Sequence, residues 1–386
     1  MSYQDVRVFF DQLLAASSPT HPAWNQEVLL GHIKPSWNYI DGCMMKAVLE
    51  LYYSSKERRY LDFADSYVDY FIAEDGSILG YQQEDYNCDH INEGKILFDL
   101  YDLTGKEKYK KAMDLLYSQL LHQPRTQSGN FWHKKIYPNQ IWLDGLYMVQ
   151  PFYMAYERRW NQNSNYRDIF TQFQTVYQAM RDPESGLLYH AYDETKQCTW
   201  ANKGTGCSQN FWTRSLGWYA MALVDTIEQM EEAFFYEHQT LQQHLRDLID
   251  ALLRVQDAET GLFYQVTNAG NRPGNYLETS GSCAIAYAIL KAVRLGYLPR
   301  YYYADGKAIF DGVVTHKFHR EGDAFVLSDI CLVAGLGVYP GRGDYKERDG
   351  SFAYYISEPR VQNDAKGIAP FVFAYAELMR KEQETP

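Results

Sequence analysis

Apolar residues recur along this chain in two alternating textures. Segments 4–16, 57–72, 106–121, 164–181, 239–255 and 300–314 carry them on one face at helical spacing. In 106–121, Tyr109, Met113, Leu116, Tyr117 and Leu120 make the stripe, while Lys108, Lys110, Lys111 and Asp114 face away. Other stretches are apolar around most of the circumference. Segment 142–158 has Leu143, Leu146, Tyr147, Val149, Phe152 and Met154, and segment 278–293 has Ala284, Ile285, Ala286, Ala288, Ile289 and Leu290. Helices of the first kind lie on a surface, and helices of the second kind are buried. Six alternations of the two predict an all-α fold, an inner ring of helices wrapped by an outer ring, or (α/α)6 barrel.

Each buried stretch opens with a polar cluster and a glycine: Gly42, Gly94, Gly145, Gly217, Gly281 and Gly367. Their spacing is irregular, which suits helical hairpins with variable loops better than a fixed solenoid period. A ring of such helices gathers its polar clusters at one end. Three inserts, 129–135, 186–192 and 261–266, read as short strands that pair into small hairpins on the rim. No linker or low-complexity segment divides the chain, so residues 1–386 are expected to form one domain.

Composition adds a compartment and excludes some partners. A net charge of −12 gives nucleic acid and anionic membranes the wrong sign of attraction. No apolar run approaches the roughly 18 residues of a membrane span. The first residues carry Asp5, Arg7 and Asp11 rather than a basic region and an apolar core, so no export signal is read and a cytoplasmic protein is expected. Cys198 and Cys207 are near enough to pair, but that compartment favours free thiols. A monomer or weak homo-oligomer is expected. The 34 tyrosines are either amphipathic filler or stacking surfaces for sugar rings.

Asp144, within Trp142-Leu-Asp-Gly-Leu-Tyr-Met, is the foremost candidate for chemistry. Aromatic and aliphatic neighbours shield it from water, which suits a proton donor; the competing role is an N-cap. Asp89 opens the preceding buried stretch, and two carboxyls facing one pocket are the usual acid–base pair for sugars. His133 and Lys134 arrive just before Asp144, and His190 on the next insert. Arg214 lies between Trp212 and Trp218, which can stack on a sugar while the guanidinium grips a carboxylate; the alternative is an internal ion pair. No nucleotide-binding or nucleophile-elbow pattern occurs, and Gly341-Arg-Gly-Asp reads as a turn.

Taken in order, Asp89-His-Ile-Asn-Glu-Gly, Trp142-Leu-Asp-Gly-Leu-Tyr-Met, Phe211-Trp-Thr-Arg-Ser-Leu-Gly-Trp, Glu278-Thr-Ser-Gly-Ser and Ser357-Glu-Pro with Asn363-Asp-Ala-Lys-Gly are specific. Through them the chain resembles, nearly end to end, the unsaturated rhamnogalacturonyl hydrolases of glycoside hydrolase family 105, related to the unsaturated glucuronyl hydrolases of family 88. The resemblance implies an (α/α)6 barrel that needs no metal or cofactor. It implies Asp144 as general acid and base and Asp89 as the second pocket carboxylate. His190, Trp212, Arg214 and Trp218 would line the sugar pocket, with His133, Lys134, Trp37 and Tyr39 as less sharply matched members. The implied substrate is a small acidic oligosaccharide ending in a 4,5-unsaturated galacturonic acid, as pectin lyases leave behind. Rival expectations are unsaturated glucuronyl substrates, a sugar 2-epimerase on the same toroid, and a carbohydrate-binding toroid without activity.

Overall fold

The structure is a computed structural model that describes residues 1–231, 233–337 and 348–384; the Gly341–Asp344 turn lies outside them. Among the described residues the inner ring consists of Tyr39–Ser55, the broken pair Asp89–Asn92 and Lys95–Thr104, Leu143–Trp160, Thr213–Gln229, Thr279–Arg294 and Ala365–Glu384. Each packs on the next, and the last packs on the first, so the ring closes. Tyr3–Ala15, Arg58–Asp69, Glu107–His122, Tyr166–Met180, Phe235–Leu253 and Tyr302–His316 alternate with them as the outer layer. The fold is the expected all-α (α/α)6 barrel. No described helix is long and apolar enough to cross a membrane.

Three of the recurrent glycines, Gly42, Gly217 and Gly281, sit where inner segments approach each other's backbone at one end. A Cβ on Gly42 would sit 2.6 Å from Glu93 Cα, and one on Gly281 would sit 2.7 Å from the Thr213 carbonyl. Only a residue without a side chain allows that approach. The N-termini of the inner helices therefore converge, and their partial positive ends face one shared space.

The rim differs from expectation in its pairing. Residues 129–135 form no strand, only a single bridge from Phe131 to Arg125; the strand here is Gln140–Trp142. It does not close a hairpin. It pairs antiparallel with Ala191–Asp193, beyond the next helical hairpin, in the register Trp142↔Ala191. The same device recurs where Trp212 bridges Val266, whereas Phe263–Tyr264 pairs with Leu277–Glu278 across a loop without a helix, the small hairpin expected at 261–266. Gln140–Trp142 and Leu277–Glu278 run straight into the inner helices Leu143–Trp160 and Thr279–Arg294 and fix where those helices begin. One tight hairpin, Phe318–Glu321 with Ala324–Leu327, turns at Gly322 with φ of 61° and was not anticipated.

Candidate active site

A cleft of about 600 Å³ opens where the inner helices begin. Asp89, His133, Lys134, Asp144, Trp212, Arg214, Trp218 and Tyr39 all line it. Two of the expected members stand elsewhere. Trp37 is 1% exposed and donates its indole N–H to the His90 carbonyl at 2.8 Å, so it braces the wall from behind. His190 is fully buried and backs Asp144 instead of lining the cleft surface.

Strand register explains why Asp144 and His190 meet. Trp142 pairs with Ala191, and Leu143 N–H bonds the His190 carbonyl at 3.1 Å, which sets the next side chain inward against the imidazole. His190 Nε2 lies 3.3 Å from Asp144 Oδ2, off the line of a hydrogen bond, and that buried oxygen has no hydrogen-bond partner among the described residues. Asp144 is not a cap. The N-cap is Trp142, and no side chain caps this helix. On the far side of the ring, His190 Nδ1 meets the Tyr355 hydroxyl at 2.8 Å. Burial, and then the charge of Asp144, push the Tyr355 hydroxyl well above its ordinary pKa, so it keeps its proton. The imidazole tautomer decides which of the two donates in that contact.

Asp89 occupies a different electrostatic setting. Lys134 Nζ lies 2.5 Å from Oδ2 and His133 Nε2 lies 3.7 Å from Oδ1. Burial alone would push Asp89 up, but Lys134 with His133 outweighs it and holds the carboxyl below its ordinary range. His133 itself is driven down to about 4 by burial, which exceeds the opposing pull of Asp89. It fits only because Gly145 leaves room: a Cβ there would sit 2.9 Å from His133 Nδ1. His133, Trp142 and Tyr137 stack face to face, with centroids 4.7 Å and 4.9 Å apart.

Among the described residues no site carboxylate forms an ion pair with Arg214 within 4.0 Å. Its Nη1 donates to the Cys331 carbonyl and to Ser280 Oγ, its Nη2 to the Leu332 carbonyl at 3.2 Å, and the guanidinium lies 4.6 Å over Trp212. Glu278 and Asp364 act on the guanidinium from farther off and favour its charged form. Trp218 stacks on Tyr147 at 4.9 Å and forms the floor. Sequence reasoning missed Glu27, Tyr137, Trp142, Met148, Arg348 and Glu358 as lining residues. Trp142 stood inside a recognised motif. Glu27 gave no local signal, being brought in by Lys366, whose Nζ lies 2.8 Å from Glu27 Oε1 and 3.2 Å from Asp364 Oδ1. Among the described residues no cluster of three His, Cys, Asp or Glu side chains could hold a metal ion. All six cysteines are free.

This geometry has relatives. The family model described as Glycosyl Hydrolase Family 88 matches residues 20–382. A solved glycoside hydrolase of family 105 from C. acetobutylicum is 44% identical, superposes with a TM-score of 0.86, and the match covers 96% of this chain and 99% of that one. Protein Atu3128 of Agrobacterium fabrum is 34% identical over 237 residues, 60% of this chain and 98% of that protein. The unsaturated rhamnogalacturonyl hydrolase YesR of Bacillus subtilis is 27% identical over 344 residues, 86% of this chain and 88% of its own. The chain belongs to glycosyl hydrolase family 88 and its family 105 relatives, the unsaturated uronyl hydrolases, and is a glycoside hydrolase.

Proposed function

We propose that this enzyme removes a 4,5-unsaturated galacturonyl unit from unsaturated rhamnogalacturonan disaccharides, with residues 1–386 acting as one catalytic domain. The observation that carries the proposal is Asp144, a carboxyl on the cleft wall whose buried oxygen has no hydrogen-bond partner among the described residues and faces a histidine. Trp142, Trp212 and Trp218 surround the same space with stacking surfaces. The name and length of the match to YesR support the galacturonyl–rhamnose preference.

The chemistry follows from the different surroundings of the two carboxyls. The substrate's C4=C5 bond is a vinyl ether conjugated to a carboxylate. Asp144 gives its proton to C4, and positive charge develops at C5 and the ring oxygen. Water adds at C5 and returns a proton to Asp144, which restores the acid. The resulting hemiketal opens, the bond from the uronyl C1 to the glycosidic oxygen breaks, the second sugar leaves with that oxygen and a proton, and a keto acid remains. One water is consumed per bond cleaved. Asp89, kept ionised by Lys134, is the wrong group to donate a proton and instead accepts hydroxyl hydrogens of the bound sugar. Lys134, Arg214 and the converging helix N-termini balance the substrate carboxylate.

The test uses an unsaturated rhamnogalacturonan disaccharide, its saturated counterpart, and D2O. Turnover should abolish the ultraviolet absorbance of the conjugated double bond, place one solvent deuterium at C4, and leave the saturated compound intact. Cleavage of the saturated compound, or product unlabelled at C4, overturns this mechanism.

A further inference from the structure

The far end of the toroid, where the inner helices finish, holds a second and separate cavity of about 90 Å³. The Tyr147–Trp218 stack stands between it and the catalytic cleft. Four cations line it, and three are neutralised. Lys46 bonds Asp99 at 2.9 Å, Lys291 bonds Asp225 and Glu228 at 2.7 Å each, and Arg159 bonds Asp102 at 2.8 Å. Helix C-termini favour cations, so paired lysines here have a structural explanation.

Lys95 is the exception. Among the described residues no carboxylate oxygen comes within 4.0 Å of its ammonium, which lies 3.3 Å over the Tyr147 ring. Its one hydrogen bond among the described residues goes to the Tyr147 carbonyl at 3.1 Å. That carbonyl is free because Pro151, four residues on in the same helix, has no N–H to donate. A neutral donor would satisfy the carbonyl equally well. The repair explains the nitrogen and leaves the charge without a direct partner: Cys43 and Asp225 act on it only from a distance, Asp225 is bonded to Lys291, and the ammonium faces a cavity that can hold about six water-sized groups.

We propose that this far-end cavity is a binding site for a small oxyanion, of phosphate or carboxylate type, which supplies the counter-charge of Lys95. The size fits an ion of four or five heavy atoms. A partly covered cation next to apolar and aromatic walls is costly without an anion, and binding one removes that cost. Burial drives Lys95 down to about 7, while contact with the cavity leaves its side chain in reach of solvent ions. Uptake of the anion is then coupled to uptake of a proton by the amine. Between pH 6 and pH 8 the protonated fraction of a group titrating at about 7 falls roughly tenfold, and affinity falls with it.

Sulfate and acetate, whose charges are constant across that range, serve as probes, with chloride at matched ionic strength as the reference. Calorimetric titration and thermal unfolding of the whole protein should show one of them binding, roughly tenfold more tightly at pH 6 than at pH 8. Lys95→Met should abolish the effect, Lys95→Arg should retain binding but lose its pH dependence, and Lys134→Met in the catalytic cleft should leave it unchanged. Absence of binding by both probes beyond chloride, equal affinity at both pH values in the wild type, or persistence in Lys95→Met each overturns the proposal. The wild-type pH comparison decides even if Lys95→Met does not fold. None of these outcomes depends on the substrate assigned to the other end.

Discussion

The two mouths of the barrel use the same residue types to opposite ends. At the far mouth, Lys46, Lys291, Asp99, Asp225 and Glu228 form short pairs that place each charge against its opposite. At the near mouth Arg214 spends its bonds on carbonyls, and Asp144 leaves an oxygen unbonded. Helix polarity reinforces the contrast, because N-termini bias the near mouth toward an anionic sugar and C-termini bias the far mouth toward cations. Pairing, more than residue type, separates groups that hold the ring together from groups that wait for a substrate. Asp89 belongs to the near mouth yet is paired, and so tests that rule from within the cleft.

The largest effect is expected at the unpaired carboxyl. Asp144→Asn should lower kcat by at least ~10²–10⁴-fold, the usual cost of losing general acid–base catalysis, with the folded state retained. Circular dichroism and substrate binding would establish the fold. A folded variant keeping more than about a tenth of wild-type kcat would show that Asp144 is not the proton carrier.

Next comes the pair. Lys134→Met leaves Asp89 to the effect of burial, so its pKa rises and the acid limb of kcat/KM moves to higher pH. In the wild type this carboxyl, depressed in the folded state, contributes stability above its unfolded pKa and loses it as pH falls through the folded value. In the variant burial sets the folded pKa above the unfolded one, so Asp89 costs stability at neutral pH and the deficit against wild type shrinks on acidification. An unmoved acid limb would detach Asp89 from the reaction. Arg214→Lys should raise KM more than it lowers kcat, since Lys keeps the charge but not the planar fork that lies over Trp212. An unchanged KM would make Arg214 purely a tie to the 331–332 segment.

The barrel was legible because its two helical textures differ in how far apolar residues wrap the circumference, a property of local sequence. The glycines were legible as markers, although their reason, backbone contact between Gly42 and Glu93 or Gly281 and Thr213, is tertiary. The rim was misjudged for the same reason. Gln140–Trp142 pairs with residues some fifty positions away, and only that register brings His190 behind Asp144. Tyr355, which orients His190, comes from a segment with no local signal toward Asp144. The hairpin at Gly322-Asp323 did carry one, a glycine–aspartate turn between alternating residues, and was overlooked.

The smallest effect is expected at Trp37, and it separates a wall from a binding surface. The family resemblance implied a role in the sugar pocket, whereas the indole lies 1% exposed with its N–H on the His90 carbonyl. Trp37→Phe keeps an aromatic ring in the wall but removes that donor, leaving a buried carbonyl unsatisfied. Such a loss costs about 1–3 kcal/mol of stability, and part of the ring's packing goes with it. The ring has no face in the cleft, so KM should stay within about twofold of wild type, a change of under ~0.5 kcal/mol. Urea unfolding alongside steady-state kinetics measures both. A large rise in KM with stability unchanged would return Trp37 to the substrate and show that the cleft reaches one layer deeper than its lining residues.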